Sequence, residues 1–203
     1  MSHLHTISAE MHTGMLVLAF ISISLKIIGD KLGKFPKATR VLEQTAFVSA
    51  LAGLLFLIVS AITGLTSTWP GEALFASPLV LNKILFTGFA IIFWTIFLLI
   101  RWKYGVDLWK SLKLKSLYVS MALGGFLSIT LTGSMGGHIA GKESLLDLVL
   151  HKSGINTHVP FTLPETWIVP ILVFILSILI VSMLLRKKYK ITSEGALYDS
   201  NIH

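Results

Sequence analysis

Two histidines lie at the ends of apolar segments, and each has glycine close by in the sequence. His138 follows Gly133 and Gly137 in TGSMGGHIAGKES, and His12 precedes Gly14 in AEMHTGMLVLAF. Neutral imidazole is a common ligand of haem iron, and missing side chains leave room for a flat cofactor. The first and fourth helices of an antiparallel bundle can be neighbours. The pair therefore favours a haem slot with His12 and His138 as axial ligands and the three glycines along its walls.

Ordinary helix packing is the alternative explanation for the same residues. Gly133 and Gly137 are four residues apart, a spacing that lets two membrane helices approach closely. Thr130, Ser134 and His138 share one helix face, so His138 would hydrogen-bond to a neighbouring helix. Both interpretations stay open at this point.

Other polar residues near these histidines are further candidates for the site. Lys83, which opens the third apolar segment, and Lys142, four residues after His138, could each neutralise a haem propionate. Lysines that extend their amines to the membrane surface would look the same in the sequence. His151 is a third candidate metal ligand, and His158 follows it in a stretch that otherwise resembles a loop.

The composition indicates an integral membrane protein without a separate soluble domain. Of 203 residues, 54% are hydrophobic and 13% are charged, against about 25% charged in average soluble chains. There is no cysteine, which excludes covalent c-type haem, iron–sulfur clusters and thiolate copper centres. The net charge of +7 is explained by contact with anionic lipid, and we expect no nucleic-acid partner.

Five apolar segments are long enough to span a bilayer, for which about 20 residues suffice. We predict an all-α protein with a four-helix bundle and one additional C-terminal helix. The predicted spans are 11–29, 43–66, 81–101, 117–138 and 166–185. Fourteen of the 17 basic residues flank them on one side. The positive-inside rule then predicts an outside N-terminus and a cytoplasmic C-terminus in the plasma membrane.

Charged residues are missing from the middle of every predicted span. Charges inside a membrane usually mark the pathways of ions or protons. Their absence argues against a pump, a coupled transporter or a channel with a charged filter. Between the fourth and fifth spans, SLLDLVL at 144–150 is amphipathic enough to predict a short interfacial helix.

The stretch GGHIAGKESLLDLVLHKSGI resembles the G-H-x-G-G-like motif of a poorly characterised family of small prokaryotic four-helix membrane proteins. With its two histidines on separate helices, the chain also resembles the membrane b-type cytochromes over residues 8–155. Ala140 replaces one glycine of the motif, and Asn82 stands where a further histidine would come. The resemblance implies one haem b and an electron-transfer component of a respiratory chain, not a stand-alone catalyst. Its partner would be a quinone or an external redox protein.

Two other functions fit the same residues. Met11 and Met15 lie beside His12, and Met135 lies beside His138; thioether sulfur with imidazole suits Cu(I), so a copper-binding protein is the first alternative. The second is a cofactor-free structural subunit, whose almost uniformly aliphatic fifth span would contact partner membrane subunits. The sequence contains no nucleophile–base pair, paired carboxylates or phosphate-binding loop that would indicate a hydrolase or a transferase.

Overall fold

Four long helices and one short helix form the described part of the chain. The computed structural model describes residues 3–33, 35–67, 77–142 and 144–154 and, further along, 163–164, 166–168, 170–171, 173–175 and 177. The helices are α1 (His3–Leu32), α2 (Pro36–Ser67), α3 (Pro78–Tyr104), α4 (Leu112–Ile139) and α5 (Leu145–Lys152), with a short 3-10 helix, Gly105–Lys110, between α3 and α4. All secondary structure in the described ranges is helical. The four long helices are apolar enough to cross a membrane, which confirms the prediction of an all-α, multi-pass membrane protein.

The first four predicted spans lie within α1 to α4, and each helix continues for several residues beyond its span. A helix of 30 residues, such as α1, is about 45 Å long, whereas the hydrocarbon core of a bilayer is about 30 Å thick. The fifth predicted span, 166–185, falls largely outside the described residues. Its described part is helical and belongs to a separate unit that begins at Leu163.

The starts of α3 and α4 follow from local sequence signals. Ser77 and Ser111 occupy the N-cap positions and accept hydrogen bonds from the backbone N–H groups of Val80 and Leu114. Proline opens α3 at Pro78, where the missing N–H costs nothing because the first N–H groups of a helix have no partner within it. These caps fix where the chain re-enters the bundle.

Close packing within two helix pairs depends on glycine. Leu16 of α1 lies over Gly53 of α2, and its Cγ is 2.5 Å from the position that a Cβ on Gly53 would take. The indole of Trp94 in α3 lies in the same way over Gly125 of α4, with Nε1 at 2.6 Å. A β-carbon at either glycine would collide with a buried side chain. Helices α1 and α2 therefore form one closely packed antiparallel pair, and α3 and α4 form another.

Contacts between the two pairs close the bundle. The rings of Phe20 in α1 and Phe126 in α4 stack with centroids 4.2 Å apart, so α1 and α4 are neighbours as predicted. Glu43 of α2 and Arg101 of α3 form an ion pair, with Nε 2.8 Å from Oε1. Each long helix thus contacts its neighbour in sequence, and the fourth contacts the first.

The two ends of the bundle carry different polar groups. We call the end with His5, His12 and His138 the histidine end. The opposite end, with Lys26 and Arg101, is the arginine end. Both basic residues have acidic partners: Lys26 is buried in α1 and pairs with Asp30 at 2.6 Å, and Arg101 pairs with Glu43.

Candidate functional site at the histidine end

His12 lies on the buried face of α1, one turn after Ser8. Its side chain is 7% exposed, and its Nδ1 lies 2.9 Å from the Ser8 carbonyl oxygen. Because a carbonyl oxygen can only accept, Nδ1 carries the hydrogen and Nε2 has the lone pair. Within the described ranges no residue hydrogen-bonds to Nε2. His12 therefore offers one nitrogen as a ligand while the other holds the ring in place.

His5 shares this face of α1, seven residues before His12, and was not predicted as part of the site. Its Nδ1 lies 3.0 Å from the Ser60 carbonyl oxygen of α2. Its Cε1 is 2.9 Å from the position that a Cβ on Gly64 would take. The ring is thus held between α1 and α2. The seven-residue spacing of the two histidines, two turns of helix, was the signal that could have found it.

Lys83, near the start of α3, extends its amine to α4 at this end. Its Nζ lies 3.1 Å from the position that a Cβ on Gly136 would take, two residues before His138. The lysine predicted for the site therefore approaches the helix that carries His138.

His138, in the last turn of α4, contacts a carboxylate that the sequence analysis did not anticipate. Its Nε2 lies 3.3 Å from Asp147 Oδ1 of α5, an electrostatic contact rather than an aligned hydrogen bond. A lone pair on Nε2 would face the lone pairs of the carboxylate, so Nε2 carries the hydrogen. No other side chain in the described ranges contacts the imidazole polar atoms. Nδ1 is the nitrogen that remains for a ligand.

Asp147 is only 3% exposed and is held by several donors. Its Oδ2 accepts hydrogen bonds from the backbone N–H of Ser144 at 2.7 Å and from its hydroxyl at 2.6 Å, and its Oδ1 accepts one from the Ser134 hydroxyl at 3.2 Å. Burial alone would raise the pKa of Asp147, but the Ser144 hydrogen bonds, with His138 and Ser134, outweigh it and lower this pKa below its ordinary value.

The turn after α4 brings Asp147 back to His138. The N–H of Lys142 donates to the Gly137 carbonyl at 2.9 Å, and the N–H of Gly141 donates to the His138 carbonyl at 3.1 Å. This is the Schellman pattern of a helix C-terminus, in which Gly141 takes a left-handed conformation with φ of 67°. Ser144 and Asp147 then form a capping box that starts α5. The predicted helix at 144–150 is thereby confirmed, with bounds Leu145–Lys152.

The three glycines predicted to line a cofactor lie in two different environments. Around Gly14 and Gly133, no atom of the described residues lies within 4 Å of the position of an added Cβ. At Gly137, the carbonyl oxygen of Lys142 lies 3.0 Å from that position. Packing between helices therefore does not explain Gly14 or Gly133, whereas the turn after α4 explains Gly137.

The remaining predicted residues lie at the surface or outside the described ranges. The Lys142 side chain is exposed, and His151 is exposed near the end of α5. His158 lies outside the described residues. Among the residues that the structure describes, no three His, Asp or Glu side chains are grouped to hold a metal ion. The predictions of His12, His138 and His151 as metal ligands and of Lys142 as a cofactor contact stay predictions.

Comparison of the chain with protein-family models, with curated proteins and with solved structures finds no match. The resemblance to membrane b-type cytochromes stays an expectation for that reason. Four apolar helices make this a multi-pass protein of a lipid bilayer. Any more specific function has to be inferred from the geometry of the histidine end.

Proposed function

We propose that the protein is a membrane-bound electron-transfer protein that binds one haem b at the histidine end, with His12 and His138 as axial ligands. One observation carries the proposal: each imidazole has one nitrogen against an oxygen acceptor and the other without a partner in the described ranges. Histidines that bind metals usually have this arrangement, because the acceptor fixes the ring and strengthens the ligand nitrogen.

The residues present suit this cofactor in two respects. Nε2 of His12 and Nδ1 of His138 would hold the iron, whereas Gly14 and Gly133 are exposed on their helices and add no support. The amine of Lys83 would neutralise a propionate. When bound, the haem supplies reversible one-electron transfer, and the protein contributes its ligands and a low-dielectric surrounding.

The orientation and the electron partner are part of the same proposal. Even without Lys26 and Arg101, whose charges are paired with Asp30 and Glu43, twelve of the 17 basic residues flank the predicted spans on the side of the arginine end. This bias supports a cytoplasmic arginine end and an outside histidine end, in a plasma membrane crossed five times. The haem would then exchange electrons near the outer face with a quinone or an external redox protein.

Visible spectra of histidine variants test the ligand assignment. The protein is expressed with ample haem and purified in detergent, and spectra are recorded after air oxidation and after reduction with dithionite. We expect a low-spin b-type spectrum that is lost in His12→Ala and in His138→Ala. His5→Ala is the matched control, because His5 lies on the same face of α1, is equally buried and also has Nδ1 against a backbone carbonyl.

Three outcomes would contradict this proposal. A colourless wild-type protein would exclude haem binding altogether. Unchanged low-spin spectra in both the His12 and the His138 variants would place the iron on other ligands. Loss of the spectrum in the His5 variant alone would move the ligand two turns along α1.

A copper-binding function is the second candidate, and the position of Nδ1 on His138 favours it. Nδ1 is next to the carbon that joins the ring to Cβ, so it offers less room to a porphyrin than to a single ion. Met135, one turn before His138, is 2% exposed and would supply sulfur for Cu(I). Metal analysis of the colourless protein, with Met135→Leu as the variant, tests this function. Copper binding in wild type that Met135→Leu weakens would support it.

A further inference from the structure

We infer that Asp147 is the positioning residue for His138: it fixes the imidazole as the Nε2–H tautomer and so presents Nδ1 as the ligand nitrogen. The inference rests on the proposed function only in taking His138 as a ligand. Its structural content, the tautomer of one ring, is independent of which metal or cofactor binds.

Two serines orient the carboxylate of Asp147: Ser144 donates to Oδ2 only, and the Ser134 hydroxyl is shared between Oδ1 and Oδ2. Oδ2 accepts both hydrogen bonds from Ser144, at 2.6 and 2.7 Å. Oδ1 faces the Ser134 hydroxyl at 3.2 Å and His138 Nε2 at 3.3 Å. The Ser144 bonds therefore fix the carboxylate in the orientation that directs Oδ1 toward the imidazole, before any ligand is present.

Burial makes this contact selective between the two tautomers. Asp147 is almost completely buried, and Nε2 of His138 is itself out of contact with solvent. With the hydrogen on Nδ1, the Nε2 lone pair would face a carboxylate oxygen in a region that water does not screen. With the hydrogen on Nε2, the same contact becomes attractive. The geometry therefore selects one tautomer, and Nδ1 keeps its lone pair for a metal.

Nitrogen NMR of the metal-free protein tests the inference directly. Protein labelled with 15N-histidine is prepared in detergent, and the His138 signals are assigned by their loss in His138→Ala. In wild type we expect Nε2 at the protonated position and Nδ1 at the unprotonated position. Asp147→Ala should leave a mixture of tautomers, and Asp147→Asn should not restore the Nε2–H tautomer, because the Ser144 N–H requires its single carbonyl oxygen and its NH2 group then faces Nε2.

Two serine variants separate positioning from a merely structural role. Ser134→Ala removes one hydrogen bond to Asp147 but leaves the carboxylate beside His138, so we expect the wild-type tautomer. Ser144→Ala weakens the capping box that starts α5. It also removes the hydroxyl that donates to Oδ2 of Asp147, so we expect a tautomer mixture smaller than that in Asp147→Ala. An unchanged tautomer in Asp147→Ala overturns the inference, as does a mixture in Ser134→Ala as large as that in Asp147→Ala.

Failure of the proposed function would be recognised separately. A protein that stays colourless and metal-free but shows the single Nε2–H tautomer, lost in Asp147→Ala, would refute haem binding and retain the positioning role. If haem binds, Asp147→Ala should lower its affinity by about 10–100-fold, the usual effect of removing a group that orients a metal-binding histidine.

Discussion

Breaking the buried ion pair at the arginine end should destabilise the bundle strongly, whereas replacing both partners should not. The Glu43 side chain is 8% exposed and that of Arg101 is 20% exposed, with Nε 2.8 Å from Oε1. Two unit charges at this distance attract by about 6 kcal/mol for an effective dielectric constant near 20. Most of that attraction offsets the desolvation of the two groups.

The consequence of removing one partner follows from what is left behind. Glu43→Leu leaves the guanidinium of Arg101 without its carboxylate, and Arg101→Met leaves the carboxylate of Glu43 without its cation. Each single variant should therefore lose about 3–5 kcal/mol of unfolding free energy. The double variant leaves no buried charge from this pair. It should lose less than either single variant, because apolar side chains of similar volume often replace a buried pair at little cost.

The four members of this double-mutant cycle are unfolded in a denaturing detergent, starting from the detergent-solubilised protein. Circular dichroism monitors the loss of helix and gives the free energy of unfolding of each. The control is the pair Asp107 and Lys110, which lie 2.7 Å apart with 68% and 81% of their side chains exposed. Asp107→Asn should leave the unfolding midpoint unchanged, because water screens this pair. Additive losses in the Glu43 and Arg101 cycle would refute the reasoning, since they would mean that neither charge depends on the other.

Three further predictions concern packing, the cofactor and pH. Gly53→Ala should lower the free energy of unfolding by about 1–3 kcal/mol in the same assay, because the new Cβ would lie 2.5 Å from Leu16 Cγ. Gly14→Ala is the control and should not destabilise the protein, because no described atom lies within 4 Å of its new Cβ. Equal losses of unfolding free energy in the two variants would contradict the described packing. Gly133→Ala should leave the stability of the metal-free protein unchanged but weaken haem binding, and unaltered haem titrations would remove Gly133 from the site. Because the folded-state pKa of Asp147 is lowered, its ionised form stabilises the fold above the ordinary carboxyl pKa, and this contribution is lost as pH falls through the folded-state pKa. Hydrogen exchange of the α5 backbone amides should therefore accelerate in wild type as pH falls through that value. An equal acceleration in Asp147→Asn would contradict the role of the ionised carboxylate.

Hydrophobicity alone located the four described membrane helices, because about 20 apolar residues in succession leave few other structures for a chain of this composition. It placed their ends less well. α1 extends back to His3, so His5, which the sequence analysis did not assign to a helix, is buried in one. Polar residues near a helix end do not lower the hydropathy of the span itself, and only the seven-residue spacing of His5 and His12 shows that they share a face.

Contacts between elements were beyond what the sequence could predict. Lys26 and Arg101 look like flanking basic residues in the sequence, but each has an acidic partner in the fold, one on its own helix and one on α2. Asp147 was predicted to lie on a short helix, without any indication that its carboxylate contacts His138. That contact depends on the tight turn after α4, whose geometry is set by backbone hydrogen bonds rather than by hydrophobic pattern.

The glycines around His138 show why one explanation for the whole stretch is insufficient. Gly141 takes a left-handed conformation that ends α4, and Gly137 lets the carbonyl of Lys142 approach closely. Gly136 lies under the Lys83 amine, and Gly133 borders no described atom within 4 Å. The first two serve the turn that brings Asp147 to His138, and the third admits the lysine. Gly133 is exposed on α4, so its substitution tests whether a cofactor contacts this surface of the helix.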